Sequence, residues 1–191
     1  MKSLLAASAA IALLAGTPAI AAQSGTAAGN AAATTTSPGN GAQQQATTAQ
    51  GFVEKAGQSN LFEIKSSRLA LDKTKNQQVR DFAQRMIDDH QQAGQKLKST
   101  LSDAQLRVAP PQQLDQEHAS MLEKLQSLRG ADFDRTYVKM QTQGHEKTIA
   151  LFEFYAQNGD NADLRQFASN LLPTLQQHYE MIQSIGANSQ S

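Results

Sequence analysis

One motif occurs twice in this chain and constrains the fold more than any other feature. Asn76-x-x-Val79-Arg80-x-Phe82-Ala83-x-x-Met86-Ile87 leads to His90, and Asn161-x-x-Leu164-Arg165-x-Phe167-Ala168-x-x-Leu171-Leu172 leads to His178. The apolar positions step by three and four, the spacing of one helix face. Asn is a favoured N-cap, because its side chain accepts hydrogen bonds from the first free N–H groups of a helix. Each copy therefore opens a helix, and each follows another stretch of helical period. Two matching starts at corresponding places point to a duplicated αα hairpin. The second copy carries about one extra turn before its His, including Pro173, which should kink the helix.

The rest of the chain after Gln50 fits this plan. There is no β-branched run, and Ala, Gln, Leu, Lys and Glu dominate. A first helix is expected over about 50–73, with Phe52, Ala56, Ser59, Glu63, Ser66 and Ala70 in one row. The second, about 77–102, has the stripe Val79, Ala83, Met86, His90, Ala93, Leu97 and Leu101. A third long helix over about 131–157 presents Asp134, Val138, Gln141, His145, Thr148 and Phe152, and ends at Asn158-Gly159. The fourth, about 162–185, carries Leu164, Ala168, Leu171, Leu175, His178, Ile182 and Ile185. Residues 103–130 form a long connection, broken by Pro110-Pro111 and containing a short amphipathic helix with Leu114, His118, Met121, Leu125 and Leu128. Short turns make each hairpin antiparallel, and the connection is long enough to run the length of the bundle. The expected fold is all-α: a ferritin-like antiparallel four-helix bundle of two duplicated hairpins with a long crossover containing a fifth helix. An up-down-up-down bundle with 112–128 as a packed fifth helix is the alternative topology.

The N-terminal quarter is different in kind. Lys2 supplies a positive start, Leu4 to Ala15 is an apolar run too short to span a bilayer, and Ala19-Ile20-Ala21 fits a small-x-small cleavage site. Residues 1–22 are expected to be a signal peptide, which places the mature protein in the periplasm or cell envelope. Residues 23–49 hold no aromatic and no charged side chain, so they cannot bury enough apolar area to offset ordering entropy, and are expected to be a flexible tether. The folded domain is then 50–187.

Composition narrows the chemistry. The chain has no Cys, which removes disulfides, thiolate metal sites and a cysteine nucleophile. Seventeen acids balance seventeen bases, which speaks against a nucleic-acid partner. No segment is suited to a membrane span, and an envelope protein is the expected kind of macromolecular partner. No phosphate loop, nucleophile elbow or H-E-x-x-H motif occurs, so no enzymatic activity is assigned. What remains is polar residues on core stripes. Measured from the two Asn caps, Glu63 and His90 lie at similar distances in the first hairpin, and His145 and His178 in the second. The four should converge near mid-bundle, one from each helix. Three imidazoles and a carboxylate suit one transition metal ion: zinc, copper, nickel or iron. Asp89, next to His90, is a secondary candidate that is more at home on a solvated face. The other reading is a non-metal polar core in a structural or stress-related envelope protein, titrating with pH. His118 is assigned to packing.

Several motifs, in order, resemble the exported bacterial family called domain of unknown function 4142: Phe52 with Ala56, Glu63, Arg68-Leu69-Ala70-Leu71, Val79-x-x-Phe82-Ala83-x-x-Met86-Ile87-x-Asp89-His90, Gly130-Ala131-x-Phe133-Asp134-x-x-Tyr137, His145, and Leu172-Pro173-x-Leu175-x-x-His178. The resemblance covers about 50–185 and implies a ferritin-like bundle, with polar positions at Glu63, Asp89, His90, Asp134, His145 and His178. The family's usual Asp before the third-helix His is Gly144 in this chain. Di-iron chemistry does not follow from it: such bundles use Glu-x-x-His on two helices, whereas Ile87 and Leu175 stand three residues before His90 and His178.

Overall fold

The computed structural model describes residues 46–188; the expected signal peptide, 1–22, and tether residues 23–45 lie outside them. The described residues form five helices and no strand: α1 Ala49–Lys73, α2 Gln77–Asp103, α3 Gln116–Ser127, α4 Gly130–Asn158 and α5 Ala162–Asn188. The duplicated caps behave alike. Asn76 Oδ1 accepts from the N–H of Gln78 at 3.0 Å, and Asn161 Oδ1 from that of Leu164 at 3.0 Å. The repeated arginines do not pair across the hairpins. Arg80 reaches back to the Leu71 carbonyl at 2.5 Å and Arg165 to the Gly159 carbonyl at 2.8 Å. Each guanidinium thus satisfies carbonyl groups left free where the preceding helix ends, where a cation also suits the helix dipole.

α1 begins slightly earlier than composition suggests, because the Thr48 hydroxyl accepts from Gly51 N–H and Ala49 is buried. α3 begins at Gln116, where Asp115 caps the N–H of His118 at 2.8 Å. α5 runs on through Pro173. Pro173 and Ser169, whose carbonyl loses its partner to the proline, are both exposed, so water can satisfy that group.

Each long helix packs on two others. α1 lies against α2 and α4, and α5 against α2 and α4. Ser59 meets Thr148 (2.7 Å), Ser66 meets Gln141 (3.1 Å) and Ser67 meets Tyr137 (2.8 Å), so α1 and α4 are antiparallel. α2 and α4 are diagonal partners, joined by the crossover. That segment returns along α1. Gln58 holds the Gln113 carbonyl and the Asp115 N–H, and Lys73 holds the carbonyls of Gln126 and Leu128. It fits closely: a Cβ at Gly57 would collide with the ring of Pro111. α3 lies against α1 and α4, with Leu125 fully buried.

The core is divided. One apolar cluster, with Phe62, Phe82, Met86, Phe133, Tyr137 and Ile182, fills the end near the α1–α2 turn. Another, with Phe52, Leu97, Phe152, Tyr155, Leu164 and Phe167, fills the end near the α4–α5 turn. Burying a side chain of this size contributes about 1.5–3 kcal/mol, so the two ends carry the main stabilisation. Between them lie buried polar residues, including Glu63, Ser66, His90, Gln141, His145 and His178.

Candidate metal centre

The stripes that bury α2, α4 and α5 each place one histidine in the middle layer: His90 and His178 continue apolar rows, and His145 follows Val138 and Gln141 on the buried face of α4. His90, His145 and His178 are 6%, 1% and 1% exposed. Each offers one ring nitrogen to a common group whose atoms all lie within 4.8 Å of one another. The rings approach with centroids 5.5–6.0 Å apart.

The other nitrogen of each ring is already engaged. His90 Nδ1 donates to Asn60 Oδ1 at 3.1 Å, His145 Nδ1 to the Gln141 carbonyl at 2.9 Å, and His178 Nε2 to Asp89 Oδ2 at 2.8 Å. All three partners are oxygen acceptors, so each outer nitrogen carries the ring hydrogen of a neutral imidazole. The inner nitrogens, His90 Nε2, His145 Nε2 and His178 Nδ1, are then bare lone pairs. They are buried and have no hydrogen-bond partner. Protonation does not relieve them. Burial holds His90 well below its ordinary range, reinforced by His145 and His178, and holds His145 down at about 4. For His178 burial outweighs the opposing pull of Asp89, and its pKa is also lowered. Three buried lone pairs converge with no donor among them, and leaving such atoms unsatisfied costs about 1–3 kcal/mol each. A metal cation satisfies all three at once. An outer nitrogen fixed by a carboxylate or carbonyl is the usual support of a metal-bound imidazole.

Glu63, expected as the fourth member, is not in this group. It is buried at 2% exposure, beside Gln141 rather than among the imidazoles, and Oε2 has no partner. Oε1 lies 3.2 Å from where a Cβ of Gly144 would stand, so the small residue before His145 makes room for the acid. Burial pushes its pKa up to about 8, only partly opposed by Gln141, so the group is neutral at pH 7. The reason lies in register. Glu63 is three residues nearer its turn than His90 is, counted from the helix ends at Lys73 and Gln77, or about 4.5 Å along the axis. Asn60 is level with His90 and bonds to it. Sequence reasoning passed over Asn60, although its distance from Lys73 equals that of His90 from Gln77.

Asp89 is not simply solvated. Its carboxylate, about one-third exposed, supports His178 from the bundle surface. His118 sits apart on α3, bonded to Asp115 at 2.8 Å and against Phe62. Asp134 stays on α4 with Oδ1 buried and unpartnered.

No curated relative matches the sequence. Among solved structures, the chain is similar to one titled "CopM in the Cu(II)-bound form", at TM-score 0.62 and 17% identity over 74% of this chain and 97% of that one. It is also similar to a DUF305 fragment from Deinococcus radiodurans, at TM-score 0.63 and 13% identity over 76% of this chain and 96% of that one. Both likenesses concern the helical fold. The model of the family described as domain of unknown function (DUF4142) matches residues 33–185, most of the chain, and the protein therefore belongs to that family.

Proposed function

We propose that this protein is an exported, envelope-located bundle that binds one transition metal ion through His90, His145 and His178. The observation that carries this reading is the set of three buried, unpartnered imidazole nitrogens, each with its other nitrogen fixed on an oxygen. Imidazole donors suit zinc, copper, nickel and iron, and among divalent ions copper binds a given nitrogen site most tightly. A copper-bound neighbour of the same fold supports copper as the first ion to try. Asp89 supplies negative charge behind His178, lowering the cost of burying a cation. A di-iron centre is a poor fit, since the group contains no carboxylate able to bridge two ions. Export is read from residues 1–22, and no described helix is long and apolar enough to cross a membrane.

The direct test is metal analysis of untagged protein, followed by melting with added copper(II), zinc(II), nickel(II) or iron(II). One ion per chain and a raised Tm are expected, both lost in a His90→Leu, His145→Leu, His178→Leu variant. If no ion raises the wild-type Tm, the middle layer is a polar core network without a metal.

A further inference from the structure

Beside the imidazoles, toward the α4–α5 turn, the four long helices line a half-open cavity of about 40 Å³. His90 and His178 form part of its wall, together with Ala93, Leu97, Phe152 and Phe167. Apart from Thr174 and the inner ring nitrogens that the metal would take, its polar side chains are bonded to one another or to the imidazoles. The Ser59 and Thr148 hydroxyls bond to each other at 2.7 Å, while Asn60 and Asp89 are held by His90 and His178. A single water needs roughly 10–15 Å³ of such space and two to four polar partners. The cavity therefore has room for a molecule of two or three heavy atoms and, once the ring nitrogens hold a metal, few groups with which to hold water.

Three imidazoles also leave a four-coordinate ion one ligand short, the arrangement that separates reactive metal sites from closed structural ones. Glu63, the nearest buried acid on α1, stands outside the imidazole group. We infer that the metal held by His90, His145 and His178 is coordinatively open toward this cavity and takes a small uncharged diatomic molecule there. The inference rests on the proposed metal reading and adds a ligand class to it.

Carbon monoxide on copper(I)-loaded protein tests both separately. The full chain is loaded without oxygen, its copper content is measured, and carbon monoxide is added under infrared observation. The expected result is one copper per chain and a single metal–carbonyl stretch. Ala93→Leu, one turn from His90 and in the cavity wall, should abolish that stretch with copper content unchanged, and Leu171→Phe serves the same purpose should Ala93→Leu not fold. Glu63→Gln should leave the band as it is. Absence of copper binding overturns the metal reading before any gas is added. Copper binding without a carbonyl band overturns the open position alone, as does a band seen only in Glu63→Gln, where the carboxylate would be the missing ligand. A band unaffected by a folded cavity-filling variant places the gas elsewhere and overturns the inference too.

Discussion

The ends of the bundle and its middle are built on opposite principles. At the α4–α5 end, Phe52 stacks on Tyr155 with centroids 4.0 Å apart and meets Phe152 edge-on at 5.1 Å. Every buried group there gains from its neighbours. In the middle, Glu63 Oε2, Gln141 Oε1 and three ring nitrogens are buried without partners. The ends hold the fold together, and the middle is tolerated because they do. Buried polar atoms without a protein partner call for another one, an ordered water or a bound ion.

The strongest way to break this contrast is to damage an end. Phe52→Ala removes a fully buried ring from a stacked cluster and should cost about 3–5 kcal/mol in urea unfolding. A smaller loss than that produced by any single middle-layer change would put the stability in the wrong place. Next comes the ligand. At a metal concentration one hundred times its Kd, the wild type should gain about 2.7 kcal/mol, and the triple histidine variant should gain nothing.

A third prediction uses pH in metal-free protein. Glu63 has a raised folded pKa of about 8, so below its unfolded value of 4.5 it costs nothing, and stability is lost as pH rises between those values. The three histidines have lowered pKa values, His145 near 4, so their contribution is full above 6.5 and is lost as pH falls. Each group can change stability by at most about 1.4 kcal/mol per pH unit. The Tm should therefore pass through a maximum near neutrality, and Glu63→Gln should remove the fall toward pH 8. A persistent alkaline fall in that variant would assign it to another group.

The duplicated turns offer a smaller effect. Arg165→Ala should cost about 1.5 kcal/mol, the lower end for one hydrogen bond from a charged group, and Arg80→Ala, which holds the carbonyls of both Leu71 and Thr74, somewhat more. Least affected should be metal-free His90→Leu with His178→Leu, which removes two unsatisfied ring nitrogens and frees acceptors on Asn60 and Asp89 that are partly exposed and can turn to water, so urea stability should shift by less than about 1 kcal/mol. A loss as large as that of Phe52→Ala would make the imidazoles structural.

The sequence was informative wherever a feature is local. Asn76, Asn161 and the three-four stripes define helix starts and buried faces because capping and amphipathicity act within one or two turns. Of the row Phe52, Ala56, Ser59, Glu63, Ser66 and Ala70, all are buried except Ser59, which is half-buried. Length counts from Asn76 and Asn161 brought three histidines to one layer in expectation, and the structure places them there. The partners of Arg80 and Arg165, the support of His178 by Asp89 and the choice of Asn60 over Glu63 beside His90 were not legible.

By itself, then, the sequence determined five helices, two related hairpins, the faces they bury and three histidines on those faces. Only the tertiary structure decided which polar atoms stand level. Periodicity specifies direction around a helix axis but not its sliding against a neighbour. That sliding is fixed by fits such as Gly57 under Pro111 and Glu63 against Gly144. A difference of one turn kept the carboxylate out of the imidazole group and set an amide against the outer nitrogen of His90.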